Sequence, residues 1–202
     1  MVLSVDNIWV QLLSGSLGWV LAIYPAGQAP APVDREFPVA GPASYGSTHH
    51  DYPATDIFAA CGSPVVAPVD AVVLEVGRRD RWDPSTDRGA ARGGKFVSLR
   101  GRDGVRYYGS HLARIPTGVA AGAEVRAGQR VGRVGHTGSA RSTPCHLHFG
   151  ISPVCRGTGQ WWIRRGVVNP YRFLNRWRSG RHLSPARAVS RWKLEHGCPS
   201  RP

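Results

Sequence analysis

His146 and His148 stand two residues apart inside an apolar run, with Leu147, Phe149 and Ile151 alternating against His146, His148 and Gly150. As a strand, this segment buries one row of side chains and turns both imidazoles to the opposite face. Two imidazoles on one strand face form a natural pair of metal ligands, or a ligand beside a proton carrier. A lone His-x-His equally suits a solvated strand face, so the weight falls on the rest of the chain. His49 and His50 precede Asp56 across a Pro53-containing turn, and His111 closes a separate segment. Three separated segments that each deliver His or Asp are what a catalytic zinc site needs. Three protein ligands leave one position open for water, and two imidazoles remain for proton handling and oxyanion stabilisation. No His-Glu-x-x-His helix is present, which excludes a Glu base of that type. His136, His182 and His196 lack such context and read as ordinary surface histidines.

The elements that must position these residues are short and β-rich. Gly (25) and Pro (16) are abundant and long helix-forming runs are few, so many short strands joined by turns are expected. Residues 63–77 are β-branched and apolar. Residues 95–100 and 105–112 form a hairpin around Gly101-Arg102-Asp103-Gly104, ending on His111. Residues 124–135 give two very short strands that lead into the His-x-His segment. Trp161-Trp162-Ile163 and residues 167–174 read as a final strand and a short capping segment. The expected fold is mainly β: a single antiparallel β-sheet or sandwich domain with a groove that carries the zinc site. It spans 45–175, with a signal-like or membrane-associated segment at 1–30, a Pro/Ala-rich linker at 31–44 and a basic, disordered tail at 176–202. The loop from Arg78 to Gly94 is long for a compact domain and carries a modest positive excess. It is expected to overhang one side of the groove and help bind an anionic wall.

Charge and cysteine narrow the setting. Lys and Arg number 26 against 13 acidic residues, a net +13 that favours anionic partners. No nucleic-acid motif accompanies the charge, so no nucleic-acid partner is expected. Cys61, Cys145, Cys155 and Cys198 are even in number without Cys-x-x-Cys spacing, which suits disulfides in an oxidising compartment. Cys145 and Cys155 flank the His-x-His strand and are expected to pair with each other, leaving Cys61 with Cys198. The first thirty residues have the apolar core and small-residue exit of a secretory signal, although Asp6 stands where a positive n-region belongs. Export to the cell envelope by an atypical signal is the expectation.

In order and spacing, these motifs resemble the lysostaphin/LytM-type zinc endopeptidases, which cut peptidoglycan peptides. The resemblance runs from about His49 to Ser152, with a tail to Leu174. It takes in Gly62-Ser63-Pro64-Val65, the turn at 127–132 and Thr137-Gly138. It implies a zinc cofactor and peptidoglycan peptides as substrate, with anionic wall polymers as further partners. Asp56 and His148 would then be metal ligands, and His111 and His146 catalytic, with zinc-activated water as the nucleophile. The family's first His commonly stands four positions before the Asp, where this chain has Tyr52. His50 and His49, six and seven positions before Asp56, are the two alternatives. His50 is preferred as the first metal ligand because an even separation can leave both side chains on one side of an extended segment. A non-catalytic module that regulates other wall hydrolases is the rival reading. A lipoyl- or biotinyl-carrier domain is disfavoured because Lys95 and Lys193 do not sit at a hairpin tip.

Overall fold

The computed structural model describes residues 34–155 and 160–200. The signal-like segment at 1–30 lies outside the described residues. Nine strands follow in chain order: β1 (Ser44–Tyr45), β2 (Thr55–Phe58), β3 (Pro64–Val66), β4 (Ala71–Gly77), β5 (Phe96–Gly101), β6 (Val105–Ser110), β7 (Glu124–Val125), β8 (Arg130–Arg133) and β9 (His146–Pro153). Three helices close the chain: α1 (Trp161–Arg164), α2 (Tyr171–Arg178) and α3 (Ala186–His196). Seven strands form one antiparallel sheet in the order β1-β2-β9-β6-β5-β4-β7, and β3 pairs with β8 in a small second sheet. The mainly β architecture matches the expectation, and the β5–β6 hairpin forms where the turn residues place it.

Strand alternation divides the large sheet into a core face and an open face. Ile57, Leu99, Tyr107, Leu147, Phe149 and Ile151 share the core face and are buried. Val65 and Val131 of the small sheet and Phe173, Leu174 and Trp177 of α2 belong to the same core cluster. The Trp177 ring meets Tyr107 and Phe149 edge-on, with centroids 6.1 and 6.2 Å apart. The open face carries three rows. Asp56, His148 and Ser110 lie in register, then Gly150, Tyr108 and Ser98, then Ser152, Arg106 and Arg100. On β4 the register shifts between Val73 and Glu75. This bulge re-aims the strand, so that Val73 faces the core while Glu75 stands opposite Ser98 on the open face.

The structure corrects four expectations. Cys145 pairs with Cys61 and Cys155 with Cys198, not Cys145 with Cys155. The reason is geometric, since β9 runs fully extended between those two positions, and roughly 3.3 Å per residue carries them far apart. The expected final strand at Trp161-Trp162-Ile163 is instead α1, which packs against β9. Within 176–202, expected to be disordered, α2 continues to Arg178 and α3 forms, with Val189 buried and Cys198 tied to Cys155. The described part of the 31–44 linker is packed too. Val39 is buried and bridges Val65, while Arg35 pairs with Asp103 at 2.9 Å.

The long loop after β4 is held down rather than free. Arg78 donates to the carbonyls of Ile115, Pro116, Thr117 and Val119. Asp80 accepts from the Gly138 amide at 3.0 Å and pairs with Arg141, whose guanidinium lies over the Trp82 ring. These bonds fasten the loop to residues 115–119 and to the segment just before β9.

Candidate metal centre

Asp56 on β2 and His148 on β9 are directly opposite residues of neighbouring strands, so the ladder itself brings them together. Asp56 Oδ1 lies 2.9 Å from His148 Nδ1, and His49 Nε2 lies 3.6 Å from Asp56 Oδ2. Ligand atoms of His49, Asp56 and His148 all fall within 4.8 Å of one another, and this is the group able to hold a metal among the described residues. His50 is not in it. The ring of His50 is exposed and meets that of His49 edge-on, with centroids 5.1 Å apart. Residues 50–53 form bends rather than extended chain, so the even-separation argument for His50 does not apply there.

Backbone carbonyls fix the tautomers. His148 Nε2 donates to the carbonyl of Arg165 at 3.0 Å, which leaves Nδ1 as a bare lone pair facing the Asp56 carboxylate. Two acceptors 2.9 Å apart repel unless a cation joins them, either a proton on Nδ1 or a metal ion. Two imidazoles and a carboxylate are a donor set that zinc uses while keeping a position open, so the residues present fit the metal. Burial alone would raise the Asp56 pKa. With a proton on His148 Nδ1, the hydrogen bond from His148 and the field of His148, His146 and His49 outweigh it and hold Asp56 down at about 2. Burial, helped by the charge of His148, lowers His49 to about 4, so its ring is neutral and able to ligate at neutral pH.

The expected catalytic pair lines the same cleft as this cluster. His146 Nδ1 donates to the Pro144 carbonyl at 2.8 Å, and His111 Nδ1 donates to the Thr137 carbonyl at 2.7 Å. Each thereby keeps an Nε2 lone pair. His146 Nε2 lies 3.9 Å from Asp56 Oδ2, and the His111 ring is 5.0 Å from that of His146 and 6.0 Å from that of His148. Burial pushes His111 down to about 3, with His148 and His146 adding to it against the Thr137 bond. His111 has φ 64°, a conformation that costs a non-glycine residue on the order of 1–3 kcal/mol. Its amide bond to the Gly93 carbonyl and that of Leu112 to the Lys95 carbonyl hold it there.

Three residues of the site carry no chemical signature in the sequence. The Tyr52 hydroxyl lies 3.4 Å from His148 Nε2, and burial raises its pKa, keeping the phenol protonated. Arg165 acts on His148 through its main chain and stacks its guanidinium on Tyr52. Arg92 of the long loop lines the same cleft, whose volume is about 480 Å³. Gly150 admits the Arg165 carbonyl, because a Cβ there would come within 2.0 Å of that oxygen. A Gly150→Ala protein is therefore expected to lose the carbonyl that orients His148. Supporting partners of this kind typically contribute ten- to hundredfold in metal affinity, so competitive chelator titration should show roughly that loss.

An antiparallel sheet thus carries on its open face a His/Asp cluster able to hold a metal, with two carbonyl-pinned imidazoles beside it. The chain belongs to peptidase family M23, whose model matches residues 50–160. In structure it is similar to a protein described as a glycyl-glycine endopeptidase LytM from Ruminococcus gnavus. That match has TM-score 0.56 and 24% identity and covers 74% of this chain and 62% of that one. It is also similar to the antimicrobial peptidase lysostaphin from Staphylococcus simulans, with TM-score 0.50 and 26% identity, over 70% of this chain and 50% of that one. A third neighbour is an M23 peptidase from Pseudomonas aeruginosa, with TM-score 0.51 and 21% identity, covering 84% and 75%. This chain thus spans less than two thirds of the first two. No curated protein matches it in sequence.

Proposed function

We propose that this chain is a zinc-dependent endopeptidase of the cell envelope that hydrolyses peptide cross-links or stem peptides of peptidoglycan. His49, Asp56 and His148 would hold the metal, which when bound supplies Lewis acidity for water and the scissile carbonyl. The carrying observation is the combined arrangement: three groups able to ligate a metal within 4.8 Å of one another, and two further imidazoles in the same cleft whose Nδ1 atoms are tied to backbone carbonyls. His146 Nε2, nearest Asp56, takes the proton of the attacking water and returns it to the leaving amine. His111 Nε2, likewise a bare acceptor, would hold the second hydrogen of that water and so fix its direction of attack. The Arg165 carbonyl keeps His148 in its ligating tautomer. Two disulfides support an oxidising compartment, and the printed activities of the structural neighbours support peptide bonds as substrate.

The test is digestion of defined muropeptides followed by mass spectrometry, with zinc measured on the same protein. His111→Ala and His146→Ala are each expected to keep the metal and lose turnover by roughly 10²- to 10⁴-fold. Full hydrolysis by either variant would remove the proposed roles. A wild-type protein that binds zinc yet cleaves no muropeptide would leave a regulatory module in place of an enzyme.

A further inference from the structure

A second and larger cleft, of about 1030 Å³, lies on the same open face and shares no lining residue with the metal centre. Arg106 stands four residues before Ser110 on β6, which at roughly 3.4 Å per residue sets it roughly 14 Å from the metal row. Among the described residues, seven arginines line the cleft against a single carboxylate, Glu75. That carboxylate is already shared: Arg106 reaches one oxygen at 3.1 Å and Arg164 the other at 2.6 Å. Arg106 is buried, its side chain 8% exposed, and its Nε has no hydrogen-bond partner. Directly opposite it on β5 stands Arg100. Like charges facing each other across a strand pair are destabilising, and here no second carboxylate separates them. Arg79, Arg81, Arg88 and Arg100 are exposed around the opening and form no ion pair among the described residues.

We infer that this cleft is a binding site for a flexible phosphodiester polymer without bases, of the poly(alditol phosphate) kind. Several unpaired guanidiniums spread along a cleft match repeated phosphates, since each presents a fork that fits phosphate oxygens. A single carboxylate would engage one of them and leave the rest uncompensated. Nucleic acid is disfavoured by the ring inventory, because strand-binding grooves interleave cations with free aromatic faces for the bases. Phe96, the aromatic ring on the floor, is covered by the Arg164 guanidinium at 4.4 Å, and Trp161 is covered by Arg165 at 4.7 Å. The long loop would thus serve two sites at once, giving Arg92 and Gly93 to the metal cleft and Arg79, Arg81 and Arg88 to the polymer cleft. The inference stands independently of the metal reading.

The test compares two triple variants of the full chain that remove the same charge, Arg79→Ala/Arg81→Ala/Arg100→Ala and Arg126→Ala/Arg130→Ala/Arg187→Ala. Binding of short poly(glycerol phosphate) is followed by fluorescence anisotropy between 50 and 300 mM salt, with circular dichroism and zinc content as checks on integrity. The cleft variant is expected to bind ~10-fold or more weakly and to lose roughly two units of the log–log salt slope, about 0.7 per phosphate contact removed. The control variant should stay within about twofold of wild type. Equal weakening of both variants would reduce the effect to net charge and overturn the site. Tighter binding of a single-stranded oligonucleotide with the same number of phosphates would overturn the ligand class.

Discussion

A His49→Ala protein is expected to purify without zinc, whereas His50→Ala should retain one zinc per chain and its full hydrolytic rate. His49 directs Nε2 at Asp56 from 3.6 Å, and its side chain is only 11% exposed. His50, one residue later, is exposed and is not in the cluster able to hold a metal. Because burial holds His49 near pKa 4, no proton competes for Nε2 at neutral pH and the lone pair is available. Losing one of three protein ligands should reduce affinity well beyond the ten- to hundredfold that a supporting partner contributes. The check is metal analysis after dialysis, together with chelator competition on both variants. Zinc lost from His50→Ala and kept by His49→Ala would reverse the ligand set.

Where candidate residues lie on a strand, sequence periodicity tells which of them share a face. His146 and His148 share a face with each other and not with Leu147 because the pleat has period two, and Asp56 meets His148 because β2 pairs with β9 in that register. The same rule misleads at His49 and His50, where residues 50–53 bend and no period exists to count. Arg165 was out of reach in principle, since its carbonyl fixes the His148 tautomer and any residue type offers a carbonyl. The tail shows a different failure. Its basic residues suggested solvation, but Ser184-Pro185 is a helix-start signal, and Ser184 Oγ accepts from the Ala186 amide at 3.3 Å. What then orders α3 is tertiary: Val189 is buried, and Cys198 is bonded to a cysteine 43 residues earlier. The polymer cleft depends on the β4 bulge. Without it, Glu75 would face the core side, and a sequence count of arginines cannot see which of them share one carboxylate.

Removing the Cys61–Cys145 disulfide is expected to cost about 4.5 kcal/mol and to weaken metal binding, while removing Cys155–Cys198 costs about 4 kcal/mol and leaves the metal in place. The first bridge spans a sequence separation of 84 and the second 43, so the entropy restored to the unfolded chain differs little between them. Their positions differ far more. Cys61 follows β2, which carries Asp56, and Cys145 immediately precedes His146 on β9. Between the same two segments the Ala59 amide reaches the Cys145 carbonyl at a long 3.4 Å, so the covalent link is the stronger tether at that corner. Cys198 lies beyond α3, and its bridge to Cys155 ties the tail to the segment after β9 rather than to β2 or to the start of β9. Both double Cys→Ala variants should therefore melt roughly 8–18 °C below wild type, at about 2–4 °C per kcal/mol for a chain of this size. Calorimetry combined with chelator titration separates the two effects. If both variants melt lower and hold zinc equally well, the Cys61 bridge is a staple for the fold alone; a zinc affinity reduced only in the Cys61/Cys145 variant shows that it also sets the spacing of β2 and β9 on which Asp56 and His148 depend.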